Sequence, residues 1–257
     1  MTPNHLHPSY APDRAWPALH EAACAHYRQS GRWAFNWAMG KLRHDPVFRG
    51  LLERGDIPAQ VRMIDIGCGQ GLMASLLQAC ADLQRAGQWP QAWAARSSAR
   101  SYLGIELMAK DVARAQASLA TLPLAPRMVC ADMREASLPG CDLVLILDVL
   151  HYVDHDAQRD LLQRVRDSLL QAQGMPGRLL LRVGDASQRR GFAISQWVDR
   201  VVTMARGHRA APTWGRPLQE WTALLHELGF EVRAVPQSQG TPFANVLLVA
   251  DLKGTAA

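Results

Sequence analysis

Three glycines spaced two apart, Gly67, Gly69 and Gly71, stand between an apolar run (Val61, Met63, Ile64, Ile66) and a helix-patterned one (Leu72, Met73, Leu76, Leu77, Cys80). The order is strand, turn, helix. Glycine tolerates positive φ and adds no side chain, so such a turn lets backbone N–H groups approach a ligand closely. The spacing is G-x-G-x-G. A dinucleotide turn, G-x-G-x-x-G, needs its third glycine at position 72, which is Leu72. Three further places carry chemistry. Glu106 closes a short strand, and a carboxylate there can accept two charge-assisted hydrogen bonds from the hydroxyls of a ribose. Asp132-Met133 follows a second strand. A third strand runs into Leu147-Asp148-Val149-Leu150-His151-Tyr152. A neutral imidazole at that point can take the proton from a phenol, hydroxyl or acid as its oxygen becomes a nucleophile.

The elements that must position these residues follow from hydrophobic period and punctuation. Residues 15–55 read as helices; Asp45-Pro46 starts one of them as cap and first helical residue, and Gly55 closes it. Strands and helices then alternate: strands at Val61–Ile66, Tyr102–Glu106, Arg127–Ala131, Cys141–Leu147 and Arg178–Val183, with helices over 71–82, 110–120, 154–170 and 192–206. Cys141–Leu147 is apolar almost throughout, as a strand buried on both faces of a parallel sheet must be. A helix over 217–228 places Trp221, Leu224, Leu225 and Leu228 on one face, with Gly229 at its end. Two strands follow with no helix between them, Phe230–Val235 and Asn245–Ala250. About eight loop residues allow only an antiparallel return.

The expected fold is therefore α/β: a doubly wound, seven-stranded, mostly parallel sheet with a C-terminal antiparallel strand pair, plus N-terminal helices. Residues 1–14 are polar and expected to lack order, residues 15–55 form a helical lid or cap, and residues 56–257 form the α/β domain. The segment 84–100 reads as a low-order insertion. Ligands of such sheets bind beyond the carboxyl ends of the strands.

The glycine turn, with Asp65 two residues ahead of Gly67, resembles motif I of the class I S-adenosylmethionine (SAM)-dependent methyltransferases. The parallel sheet ending in an antiparallel pair resembles their seven-stranded fold over residues 56–251. The resemblance implies SAM as cofactor, held by Asp65, Gly67, Cys68, Gly69, Gly71, Glu106, Leu107, Asp132, Met133 and Asp148. In that family the residue at Asp132 meets the adenine amino group and the apolar one after it packs on the ring. The string from Asp148 to Tyr152 resembles motif IV of small-molecule methyltransferases, which makes His151 the candidate catalytic base. The N-terminal block with the insertion is loosely similar to methyltransferases of bacterial aryl-polyene pigment clusters, which implies an aromatic or polyketide-type acceptor, free or carrier-bound.

Each residue also has a plainer reading. Glu106 can be a surface carboxylate, Asp132 a turn initiator, and His151 a helix cap or a ring packed under the cofactor. Tyr27, Trp33, Phe35 and Trp37 line an acceptor pocket or pack as core; Trp33 and Trp37 lie one helical turn apart. Arg189, Arg190 and Trp197 are candidates for an anionic or carrier-bound acceptor. Asp148 and Asp185 are two possible metal ligands without a third, so no metal is expected.

Composition bounds the rest. A net charge of +5 over 257 residues is modest, and the basic residues are scattered, so a nucleic-acid partner is not indicated. Five cysteines, an odd number with no C-x-x-C, suit free thiols in a reducing compartment. No stretch is apolar enough for a signal peptide or a membrane span, so a soluble, cytoplasmic protein is expected. Two other functions remain open on the sequence: a SAM-binding protein without catalysis, and an NAD(P)-dependent reductase.

Overall fold

The computed structural model describes residues 12–94, 96–184, 213–237 and 245–253. The helix expected over 192–206, together with Asp185, Arg189, Arg190 and Trp197, lies outside the described residues. Backbone contacts divide the chain into two compact units. One comprises Met1–Val61, Gln70–Ser101 and Ala113–Pro126; the other comprises Arg62–Gly69, Tyr102–Val112 and Arg127–Ala257.

The first unit is helical. Helix α1 (Pro12–Ala25) runs through a 3₁₀ turn (His26–Ser30) into α2 (Arg32–His44) and α3 (Pro46–Glu53). Helix begins at Pro12, so the last three residues of the segment expected to lack order are helical. α2 buries Ala34, Ala38 and Leu42, one turn apart. The Asp45 side chain accepts from the Val47 N–H at 3.1 Å, and Pro46 opens α3 as its first residue. Gly55, at φ +67°, follows the helix and donates its N–H to the Leu52 carbonyl. α4 (Leu72–Arg85) starts after Gly71, whose φ of +72° is left-handed. It is buried almost all round, with α1 packed on it. Ser75 on α4 donates to the Ala23 carbonyl at 2.7 Å and pairs with His26 Nδ1 at 2.8 Å. The segment after α4 is irregular as expected, yet it is fastened: Trp93 is buried edge-on to Trp89, the Ala94 N–H donates to the Glu53 carbonyl, and Gln84 Nε2 donates to Ser97 O.

The second unit holds the sheet, whose strands are β1 (Val61–Ile66), β2 (Ala99–Glu106), β3 (Arg127–Cys130), β4 (Leu143–Leu147), β5 (Arg178–Gly184), β6 (Phe230–Pro236) and β7 (Asn245–Leu252). Their order is β3-β2-β1-β4-β5-β7-β6. β1 pairs parallel with β4 (Ile66 opposite Ile146), β2 with β3, and β4 with β5; β7 pairs antiparallel with both β5 and β6. This is the seven-stranded, mostly parallel sheet with a C-terminal antiparallel pair that the sequence predicts. β4 begins two residues later than its apolar pattern suggests, because the Cys141 N–H bonds to the Ser168 carbonyl instead of joining a ladder. β2 begins three residues earlier, continuing from Ser98, whose carbonyl takes the Val61 N–H.

A second α-helix pair follows in this unit: α6 (His155–Leu169) buries Leu161, Leu162, Val165 and Leu169, and α7 (Leu218–Glu227) buries Trp221, Leu224 and Leu225. These join Ile64, Ile66, Val144, Ile146, Leu179 and Leu181 in one core. α5 (Ala109–Leu119) follows β2.

Asp142 locks the lower end of β4. It is buried and accepts from the Arg62 N–H at 2.8 Å, from Arg62 Nη2 at 2.7 Å and from the Gln173 N–H at 3.0 Å. Burial raises its carboxyl, but those bonds prevail and hold it down at about 2. Its stabilising contribution is thus present above the unfolded aspartate range near 4 and lost as pH falls towards 2. Asp142→Ala leaves Arg62 without its carboxylate and is expected to cost roughly 3 kcal/mol in denaturant unfolding at pH 7. The wild-type advantage should shrink steadily below pH 4.

Candidate functional site

The glycine turn rides on the end of β2. Its Gly67 and Cys68 N–H groups both donate to the Ile105 carbonyl, at 2.8 and 3.2 Å, and the Gly69 N–H donates to Glu106 Oε2 at 2.9 Å. Three of the turn's donors are therefore occupied within the protein. With these three spent, the turn has fewer N–H groups for an anion, which suits a cofactor without phosphates better than a pyrophosphate. The glycines also differ in purpose. A Cβ on Gly67 (φ +74°) would lie 2.5 and 2.7 Å from the two Cγ atoms of Val149. A Cβ on Gly69 (φ +56°) would meet nothing within 4 Å. Gly67 is thus required by the protein's own packing, whereas Gly69 leaves open space where a ligand can lie against the backbone. The Cys68 thiol turns inward, 2.7 Å from where a Gly104 Cβ would stand, and burial raises it well above the ordinary thiol range.

Glu106 is more than a surface carboxylate. One oxygen holds the Gly69 N–H and the other accepts from the Met108 N–H at 2.9 Å. Each oxygen keeps a lone pair for a further donor. Leu107, beside it, is 63% exposed, an apolar side chain facing out at the strand end. Asp65 lies buried below, accepting from the Tyr102 hydroxyl. Burial pushes its carboxyl up to about 7; the Tyr102 bond opposes the rise and the Glu106 charge adds to it.

Asp132 starts a turn, as its plainer reading has it: its carbonyl accepts from the Glu135 and Ala136 N–H groups. Its carboxylate is taken by the Arg134 guanidinium and backbone N–H, and the Arg134 bond holds it below the usual carboxylate range. Met133 packs against the sheet core. Asp148, at φ +59°, sits in the left-handed region just past β4, and its carboxylate is clamped by both arms of Arg182, with Nε at 2.8 Å. That pairing consumes the charge a metal would need. Among the described residues no group of three metal-ligating side chains comes together.

His151 lies on a 3₁₀ turn, Leu150–Tyr152, its ring centroid 4.2 Å from that of Tyr152. Its carbonyl accepts from the Trp214 N–H at 2.8 Å. The Trp214 carbonyl in turn takes Nε2 of the fully buried Gln158 at 2.8 Å. Arg182, Val149, Gln158 and Trp214 are the residues that sequence reasoning missed. Arg182 had a signal, a charge inside Leu179-Leu180-Leu181-Arg182-Val183, which a buried strand tolerates only with a partner.

In the first unit, Tyr27 is buried and donates to the Gln70 carbonyl at 2.9 Å, with Trp37 tilted against it. Phe35 lies under the Arg28 guanidinium. Trp33 is 55% exposed and stacks under Arg114 at 4.2 Å.

Residues 94–231, just over half of the chain, match the family described as O-methyltransferase domain. No curated protein matches the sequence. Solved structures of similar fold include an O-methyltransferase family protein from Burkholderia thailandensis, with TM-score 0.56 and 16% identity over 96% of this chain and 64% of that one. Magnesium protoporphyrin IX methyltransferase from Synechocystis PCC 6803, with bound S-adenosylhomocysteine (SAH), gives 0.53 and 18% over 80% of each chain. Mitomycin 7-O-methyltransferase gives 0.52 and 22% over 97% of this chain and 74% of that one.

The two glycines should part company on substitution. Gly67→Ala forces a Cβ into Val149 at positive φ and is expected to lose roughly 2–4 kcal/mol of stability. Gly69→Val meets no clash but carries the strain of a positive φ; it should be destabilised yet folded, and fail to bind SAH in calorimetry. Glu106→Ala should weaken SAH by about 1.5–3 kcal/mol, and unchanged affinity would remove it from the site. Asp65, whose folded carboxyl titrates higher than its unfolded one near 4, makes the apoprotein less stable as pH rises from 4 towards 7. Asp65→Asn should flatten that slope in thermal unfolding.

Proposed function

The chain belongs to the O-methyltransferase domain family and is a SAM-dependent methyltransferase; on that premise we propose that it methylates an oxygen of a small-molecule acceptor presented at the His151 turn. The observation that carries this is the seating of Val149 on Gly67, which packs the segment containing His151 directly against the cofactor turn. Bound SAM supplies a methyl group already activated on a sulfonium. What the chain adds is alignment and a place for the acceptor's proton.

Glu106 receives the ribose hydroxyls on its two remaining lone pairs, and the exposed Leu107 gives the adenine an apolar surface. Asp132 and Met133, at the end of the neighbouring strand, complete the adenine side. Asp65 shapes the turn from below through Tyr102 and does not touch the cofactor. Asp148 acts likewise, through Arg182, by fixing the chain that leads to His151. His151 takes the proton from the acceptor oxygen. Tyr152 and Trp214, 41% and 42% exposed, flank His151 and favour a flat, aromatic acceptor.

No described helix is long and apolar enough to cross a membrane. Against the dinucleotide reading stand Leu72, where its third glycine would be, and the N–H groups of Gly67, Cys68 and Gly69, which are already taken.

Incubating the protein with SAM and a panel of phenols, hydroxy acids and amines tests the reading, with SAH release and mass-spectrometric location of the methyl as readouts. A methyl ether or ester is expected; transfer to nitrogen or carbon alone overturns it. His151→Ala should slow transfer by about 10²–10⁴-fold with SAH affinity intact, and the acid limb of the pH–rate profile should vanish. Persistence of that limb, with the rate within a few-fold of wild type, removes His151 from the role of base.

A further inference from the structure

We propose that Gln158, braced by Arg216, is the positioning residue for His151, a role that rests on the reading of His151 as the base. Gln158 is fully buried in the first turn of α6. Its amide nitrogen, with two N–H bonds to give and one of them shared, lies within hydrogen-bond reach of three carbonyls: Leu150 at 3.2 Å, Val153 at 3.0 Å and Trp214 at 2.8 Å. Leu150 and Val153 bracket His151 in the chain. Trp214 approaches from a distant segment, and its own N–H returns to the His151 carbonyl at 2.8 Å. The backbone at His151 is thereby held before it, after it and at the residue itself.

Arg216 decides which way the amide points. Its Nε donates to Gln158 Oε1 at 2.7 Å, and a guanidinium has no acceptor to offer. The oxygen must therefore face Arg216, which turns the NH₂ onto the three carbonyls. Arg216 is itself anchored, donating to the His155 carbonyl at 3.0 Å and lying 5.6 Å over the Trp221 ring. The His155 ring meets Trp214 edge-on at 5.5 Å. No other side chain of this size serves both ends. Glutamate would set a carboxylate against three carbonyl oxygens, leucine would take the amide away from all three carbonyls and from Arg216 Nε, and asparagine is one methylene shorter.

The test uses the full-length, ¹⁵N-labelled, SAH-loaded protein. The His151 imidazole cross-peaks are assigned by their loss in His151→Ala. Gln158→Leu and Gln158→Glu are expected to shift, split or broaden those peaks while SAH affinity stays at the wild-type value; Arg216→Ala should move them in the same direction and less far. Unmoved His151 peaks in folded Gln158→Leu, with only a lowered melting temperature, overturn the proposal, because a residue that merely stabilises would give that result. If Gln158→Leu does not fold, Arg216→Ala decides by the same criterion. Failure of the parent reading looks different: His151→Ala would remain active while the Gln158 variants still displaced the imidazole.

Discussion

Gly67 has no room for a side chain, and the architecture of the site follows from what fills that room. Val149 occupies it, and Val149 stands where it does because Asp148 turns the chain through a left-handed conformation immediately before. That conformation is held by a buried guanidinium on the next strand, which cannot be left without a carboxylate. One line of contact thus runs from β5 through the end of β4 to the turn after β1. The turn in its other direction is fastened to β2 by the Ile105 carbonyl and the Glu106 carboxylate. On the proposed reading, the cofactor and acceptor surfaces would be set by the same few atoms.

The electrostatics around this line are divided by depth. Asp142 at the far end of β4 is surrounded by donors and stays ionised to low pH, where it ties strand to strand. Asp65, one strand over and close to the turn, has a single hydroxyl for company and a second carboxylate nearby. Two aspartates of the same sheet therefore titrate at opposite ends of their range because one was given a cation and the other was not.

Much of this was legible in the residues. The period of the apolar positions located all seven strands, and Asp45-Pro46, Gly55 and Gly229 punctuated helices as caps should. The short link between β6 and β7 was enough to require their antiparallel pairing. The strand ends pointed to Glu106, which holds the Gly69 N–H of the glycine turn. What stayed hidden shares one cause: hydrogen bonds between residues far apart in sequence carry no local pattern. Gln158 sits in an ordinary polar helix start, and its partners lie at 150, 153, 214 and 216. The Trp89–Trp93 contact makes an anchored segment of one whose composition suggests a loose insertion. The glycine spacing says that backbone N–H groups can approach a ligand closely; it does not say that the Ile105 carbonyl takes two of them, those of Gly67 and Cys68.

The placement of β7 has a consequence for how the chain is made. It is the last strand in chain order, yet it is inserted between β5 and β6 and supplies the ladder partners of both. Until it emerges from the ribosome, β5 presents an open edge and β6 has nothing to pair with. The nascent protein must hold an apolar sheet edge exposed for the time taken to synthesise everything between Gly184 and Asn245, and such edges recruit other strands. The ladder partners of β5 and β6 are therefore complete only when β7 is in place. A chaperone that shields β5 during that interval would act on yield without touching the stability of the finished protein.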